Sequence, residues 1–295
     1  MKLGVIGGSG LYELEHISKI EMLKINTPFG NPSDEIGHGI IGTTEVYFLP
    51  RHGKGHTLLP SEINHRANIW ALKKLGVTHI ASISAVGSLK EELRPRDIVI
   101  VDQYVDRTKR GLEHSFFGNG IAAHIAFADP VCPELMHLSY RSALEAVSES
   151  ANGKNRPSVN LGGIYLNMEG PAFSTKAESN LYRKWGMDVI GMTNIAEAKL
   201  AREAEICYCT IAMVTDYDCW HPEHDSVTVD LIIQNLLANT ALAKKIIVKI
   251  ANKLSELPGK CQCPNALSSA IITSKDKITN ELKVKLEPII SKYIN

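Results

Sequence analysis

DVIGM (188–192), AEAKLAREAE (196–205) and ICYCTIAMV (206–214) follow one another almost without interruption. The first reads as a short strand and the second as a helix. The third is an apolar run of nine residues. Its length and β-branching predict a fully buried strand. Strand, helix and buried strand in succession form the unit of an α/β domain. Helices are then expected on both faces of the sheet, and functional loops at the carboxyl ends of the strands.

The same alternation extends outward. KLGVIGG (2–8) and EVYFLP (45–50) are short β-branched runs closed by Gly or Pro. THIASIS (78–84), DIVIVDQYV (97–105) and GGIYLNM (162–168) are strand-like as well. INHRANIWALKKLG (63–76) places Ile63, Ala67, Trp70, Ala71 and Leu75 on one helical face and ends on a glycine stop. STKAESNLYRKWG (174–186) predicts a helix with Ser174 at its N-cap. Residues 226–254 form one long helical pattern, which SELPGKCQCPN (255–265) breaks. No repeat or linker precedes residue 255. The expected organisation is one domain, 1–255, and a C-terminal extension, 256–295, carrying a C-x-C motif. Pro288 interrupts the extension's helical stretch.

The chain has 295 residues, 44% hydrophobic and 22% charged, enough for a large core and too apolar for disorder. Lys plus Arg and Asp plus Glu both number 32. Non-specific nucleic-acid binding runs on net basic charge, so no nucleic-acid partner is expected. No stretch approaches the roughly 20 apolar residues of a membrane helix, and the N-terminus lacks the pattern of a signal peptide. The expected setting is cytoplasmic, without a membrane partner.

Six strand ends carry chemistry. Gly7-Gly8-Ser9-Gly10 could converge N–H groups and a hydroxyl on an anion. It is not a dinucleotide fingerprint, because the sixth position from Gly8 is Glu13. No Gly-Lys-Ser/Thr follows, so it is not a P-loop either, and an ordinary tight turn remains open. Arg51 offers a bidentate fork for phosphate and His52 a further donor. His52 and His56 have i,i+4 spacing, but two intervening glycines argue against a helical metal pair. Ser84-Ala85-Val86-Gly87-Ser88 allows close backbone approach to a ligand. Phe173 could stack on a planar ligand or act as a packing staple. Met192 and Thr193 supply an apolar contact and a hydroxyl. Asp216 and Asp218 point the same way in an extended segment. Two such carboxylates push their pKa values apart, so one can hold a proton near neutrality. The alternative is a helix cap or a pair of surface acids. Together the six ask for an anionic co-substrate and a planar leaving group, with no metal.

GVIGGSGLY, LPRHGKGH, NHRANIWALKKLGV, SAVGSL, DRT, NMEGPAFSTKAES, GMTN and TDYDCW occur in this order. In this the chain resembles the 5′-methylthioadenosine phosphorylases, a branch of the trimeric purine nucleoside phosphorylases, from residue 3 to about residue 250. The C-x-C tail further resembles the archaeal type-II branch. The resemblance implies a phosphorylase/hydrolase-like three-layer α/β fold, a mixed central sheet flanked by helices. It implies phosphorolysis of 5′-methylthioadenosine to adenine and 5-methylthioribose 1-phosphate, with inorganic phosphate as co-substrate and no other cofactor. The implied phosphate site is Ser9, Arg51, His52, Ser84, the Ala85 backbone and Thr193. Met192 would meet the ribose, and Phe173, Ser174, Asp216 and Asp218 the base. Val229 and Ile232 would line the 5′-alkylthio pocket. His124 would reach in from a neighbouring subunit of a homotrimer or homohexamer. Asp216, Asp218 and His52 are the expected catalytic residues.

Three alternatives stay open at this stage: the same chemistry on a 6-oxopurine nucleoside or methylthioinosine, a hydrolytic nucleosidase, and a non-catalytic nucleotide-binding protein. The six cysteines are expected to be structural. By resemblance, Cys132 and Cys207 match positions bridged in the archaeal branch, and Cys261–Cys263 would close a small ring. Six reduced thiols are the ordinary cytoplasmic state. Zinc held by the C-x-C alone is disfavoured, since two ligands do not complete a tetrahedral site.

Overall fold

A computed structural model describes residues 1–8, 10, 17–150, 156–221 and 229–294; side chains at 18, 19, 112 and 229–234 lie outside the description. Strands and helices alternate as β1 (Lys2–Gly7), β2 (Ser18–Leu23), β3 (Ile36–Ile41), β4 (Thr44–Pro50), α1 (His65–Lys74), β5 (His79–Ser88), β6 (Ile98–Ile100), β7 (Gln103–Asp106), α2 (Pro133–Ser150), β8 (Val159–Leu161), β9 (Ile164–Asn167), α3 (Lys176–Lys184), β10 (Val189–Gly191), α4 (Asn194–Glu203), β11 (Cys207–Tyr217), α5 (Val229–Lys253), α6 (Asn280–Lys285) and α7 (Glu287–Ile294).

The sheet is mixed and branches at β5. One path runs β2-β3-β4-β1-β5-β10-β9-β7, and β11 leaves β5 toward β6 and β8. β1, β4, β5 and β11 are mutually parallel, whereas β10 meets the end of β5 antiparallel at Gly87 and Ser88. This end of β5 is therefore pinched between β10 and β11. Gly87 permits the approach: a Cβ there would lie 3.1 Å from the Ile190 side chain and 3.2 Å from Asp216 Oδ1.

β11 shows why the sheet is covered on both sides. Cys207, Cys209, Ile211 and Met213 pack into a cluster with α2 and α5, while Tyr208 joins the opposite cluster with α1, α4 and α7. Alternate side chains of one strand thus reach both helical layers. The strand extends beyond the apolar run to Tyr217, through an irregularity between Val214 and Asp216. Among the described residues, no helix is long and apolar enough to cross a membrane.

Several expected elements are cut differently. The 97–105 run is two strands, because Val101 donates to Thr210 O and Asp102 Oδ1 accepts from Gly163 N, turning the chain between them. The 162–168 run contains β9, which Gly162 and Gly163, at φ +85° and +155°, separate from β8. Thr175, not Ser174, caps α3, in a reciprocal capping box with Glu178. Pro288 lies in the first turn of α7, where its missing N–H is harmless, and the break falls two residues earlier, at Leu286. Of the 226–254 pattern, 226–228 lie outside the described residues. Residues 256–295 put Leu267, Ala270, Leu286, Ile289 and Ile290 into the core shared with α1, and Trp70 Nε1 donates to Lys285 O at 3.1 Å.

Candidate active site

A cavity of about 450 Å³ opens at the carboxyl ends of β1, β4, β5, β10 and β11. Its wall holds Gly8, Gly10, Arg51, His52, Ser84, Ala85, Phe173, Met192, Thr193, Asp216 and Asp218, segments scattered over more than two hundred residues of chain. Of the sequence-predicted residues, Ser9 lies outside the described set, between two glycines of the wall. Val229 and Ile232 fall in the α5 backbone, and their side chains also lie outside it. The α5 part of the wall is Leu236, Asn239, Thr240 and Ala243. Ser174 is buried beside Asp218, behind the wall. His124 is exposed and outside the wall, its backbone N–H donating to Ala270 O at 2.9 Å.

Arg51 follows β4 and is 4% exposed. Nε donates to Glu197 Oε1 at 2.5 Å, Nη2 to Ser82 Oγ at 2.6 Å and Glu197 Oε2 at 3.3 Å, and Nη1 to Ile83 O at 2.9 Å. Four of its five N–H groups thus meet protein acceptors, leaving one on Nη1 for an anion. The fork expected for phosphate faces Glu197 instead. Burial opposes the charge on Glu197, yet the Arg51 guanidinium holds its carboxyl below the usual carboxylate range.

Behind this pair lies a polar network that sequence reading misses. Asn194 donates from Nδ2 to Ser82 Oγ, Tyr208 OH and Thr210 Oγ1 at 2.9–3.0 Å. Its Oδ1 accepts from Tyr165 OH at 3.1 Å and Thr193 Oγ1 at 3.2 Å. Ser84 Oγ lies 3.4 Å from Tyr165 OH. The signal is present: Ser82, Tyr208 and Thr210 interrupt apolar strands, and Glu197 sits in a helix that must bury one face. A buried acid needs a cationic partner.

His52 Nδ1 is 2.8 Å from Leu58 O, so it carries the proton and Nε2 is an acceptor in the neutral ring. Burial, aided by nearby Arg51, lowers its pKa to about 4. The ring therefore offers an acceptor to a phosphate hydroxyl, where the sequence suggests a donor.

Asp216 lies near the end of β11 and Asp218 directly after it, both beside Gly87. Burial raises Asp216 to about 6; Thr215 Oγ1, donating to its Oδ2 at 2.6 Å, opposes the shift, and Asp218 adds to it. Burial also raises Asp218, against the Ser179 and Ser174 hydroxyls beside it. Its Oδ2 is buried without a hydrogen-bond partner among the described residues. Ile83 O, which holds Arg51, and Gly87, beside Asp216, lie at opposite ends of one stretch of β5, so the cavity has a cationic end and a carboxyl end. Met192 lies under Gly170, and Phe173, 65% exposed, stands at the wall.

Parallel strands whose ends present anion donors beside desolvated carboxyls define a nucleoside-cleaving phosphorylase class. The chain belongs to the phosphorylase superfamily, whose model matches residues 2–252. It is similar to the S-methyl-5′-thioadenosine phosphorylase of Geobacter sulfurreducens, at 54% identity over 292 residues and 99% of each chain. A crystal structure of methylthioadenosine phosphorylase sourced from an antarctic soil metagenomic library matches with a TM-score of 0.91 at 46% identity over 98% of both chains. A mutant adenosine/methylthioadenosine phosphorylase of Schistosoma mansoni, solved in complex with methylthioadenosine, matches with a TM-score of 0.82 at 34% identity, over 91% of this chain and 96% of its own. The expected mixed-sheet α/β fold and phosphorylase family both hold.

Proposed function

We propose that this chain cleaves 5′-methylthioadenosine with inorganic phosphate, giving adenine and 5-methylthioribose 1-phosphate. It is a pentosyltransferase serving purine and methionine salvage. The observation that carries the reading is the two-ended cavity, with anion donors toward one end and desolvated carboxyls at the other. The full-length relatives named for this activity support it.

Phosphate sits against the free Arg51 N–H, the Ser84 and Thr193 hydroxyls, the Ala85 backbone and Ser9. His52 Nε2 accepts the phosphate hydroxyl and so turns its bare oxygens toward the sugar. Cleavage of the glycosidic bond builds positive charge on the ribose, which the held anion stabilises before attacking the anomeric carbon. Met192 lies against the ribose. The purine departs with developing negative charge, and Asp216, whose pKa near 6 keeps a protonated fraction near neutrality, donates at N7. Asp218 Oδ2, without a partner among the described residues, accepts from the exocyclic amine. Phe173 and Ser174 flank the base, while Val229 and Ile232 take the methylthio group. No metal or redox step is required.

The catalytic unit is 1–255, with 256–295 as an extension. A homotrimer or homohexamer places His124 of one subunit at the site of the next. The enzyme acts in the cytoplasm on small molecules, without a nucleic-acid or membrane partner. The test is adenine release from methylthioadenosine with and without phosphate. Release should require phosphate and yield the sugar phosphate in equal amount. Phosphate-independent release of free methylthioribose would identify a nucleosidase and overturn the reading.

A further inference from the structure

Four of the six cysteines converge outside the cavity wall. The Sγ atoms of Cys132, Cys207, Cys261 and Cys263 all lie within 4.8 Å of one another. Cys207 Sγ and Cys261 Sγ are 3.4 Å apart. Three separate segments supply them: the residue before α2, the first residue of β11, and the C-x-C of the extension. Cys132, Cys207 and Cys263 are buried in one apolar cluster with Leu135, Leu138 and Leu257, and Cys261 packs against it. The objection to zinc, that a C-x-C supplies only two ligands, therefore falls: the fold brings the other two.

We propose that Cys132, Cys207, Cys261 and Cys263 form a structural zinc site, a tetrathiolate that fastens the C-terminal extension to the roots of β11 and α2. A tetrahedral site with Zn–S near 2.3 Å has sulfurs about 3.8 Å apart. The observed cluster brackets that value, and closing it takes only side-chain adjustment. Two disulfides would need only two close pairs; here all six pairs are close. Four thiolates cannot share such a volume without a cation, because like charges in a desolvated site disfavour one another. Zinc uptake releases the four thiol protons and involves no electron transfer. The positive end of α2 faces the same cluster. None of the four lines the cavity, so the metal would hold the fold and take no part in cleavage. Its reach is nonetheless long. The extension it anchors pairs through Ile271 with Ala123, next to His124.

The full-length chain, expressed in zinc-supplemented medium and purified without metal affinity or chelators, should carry one equivalent of zinc per chain by elemental analysis and native mass spectrometry. Mercurial titration of the thiols should release that zinc in step. The C261S/C263S variant should lose it, and C219S, outside the cluster, should retain it. Should the double variant fail to fold, cobalt exchange into the parent keeps the question decidable: tetrahedral tetrathiolate cobalt has intense charge-transfer and ligand-field bands. Zinc-free protein with six titratable thiols overturns the proposal. So does zinc-free protein lighter by the hydrogens lost to disulfides, or protein that holds iron in place of zinc.

Discussion

The two ends of the cavity are built on opposite terms. At the cationic end nearly every polar atom is satisfied by the protein: Arg51 commits four of five N–H groups to Glu197, Ser82 and Ile83, and Asn194 ties Ser82, Thr193, Tyr165, Tyr208 and Thr210 together. At the carboxyl end the protein leaves work for the ligand. Asp218 Oδ2 has no partner among the described residues, and burial holds both acids above their ordinary range. The first end is preorganised. The second is destabilised until a base fills it. A reaction that must hold a phosphate in place and hand a proton to a departing purine needs this division.

The largest effect should come from breaking the satisfied end. Glu197→Ala leaves a guanidinium buried without its counter-ion, which costs about 3–5 kcal/mol of stability. Urea unfolding at fixed protein concentration reads this directly. Phosphate should restore part of the loss in the variant, because an anion bound only by the folded state supplies the missing charge. A stability change below about 1 kcal/mol, or no phosphate rescue, would show that Arg51 is not held by this pair alone.

Next comes proton donation. Asp216→Asn should lower kcat for methylthioadenosine about a hundredfold, the low end of general-acid contributions, with little change in the phosphate KM. The parent's kcat/KM should fall as pH rises through about 6, and the variant should lose that limb. Equal losses in phosphate affinity would blur the two ends and count against the division.

Much of the satisfied end is legible in the sequence, but not its wiring. Arg51, His52, Ser84 and Thr193 stand out because polar residues at strand ends have few structural uses. That Arg51 faces Glu197, 146 residues away, depends on the packing of α4 against β5, which no local pattern carries. The hydrogen-bond sense of His52 is the reverse of the one the sequence suggests, since Leu58 O fixes the tautomer only once the loop closes on itself. The apolar run reveals the buried β11, while β2, β3 and α2 lack so clear a pattern. The 97–105 run is split by Gly162 and Gly163, which lie some sixty residues downstream. The four-cysteine cluster is invisible for the same reason: C-x-C is local, whereas Cys132 and Cys207 arrive by topology.

Stability should carry a smaller, oppositely signed mark of the unsatisfied end. The folded-state pKa of Asp216, about 6, lies above the ordinary aspartate value of 3.8. Such an acid contributes stability fully below its unfolded pKa and loses it as pH rises through the folded one. The parent should therefore lose about 2 kcal/mol between roughly pH 4 and pH 7 relative to Asp216→Asn, since a tenfold change in proton affinity on folding corresponds to about 1.4 kcal/mol. Paired urea titrations across that window decide it. Parallel curves would mean that Asp216 ionises without penalty, removing the basis for its proton-donor role.

The smallest expected effect tests which base the open end was left open for. A 6-aminopurine presents an N–H donor at its exocyclic position, whereas a 6-oxopurine presents an acceptor. An ionised Asp218 only accepts, so it matches the amine and opposes the oxygen. Its Oδ2 is buried and has no hydrogen-bond partner among the described residues. Asn at the same place keeps an acceptor and adds a donor, with nearly the same shape. Asp218→Asn should therefore bind the amine about as well geometrically but lose the charge assistance, and it should gain a bond to the oxygen. Together these changes are worth about 1.4 kcal/mol, a roughly tenfold fall in the kcat/KM ratio of methylthioadenosine to methylthioinosine. Phosphate KM should not move, because Arg51 and its partners lie at the other end of β5. If the ratio is unchanged while both substrates slow equally, Asp218 supports the wall without reading the base. If the parent already prefers methylthioinosine, the amine is not what the open carboxylate awaits.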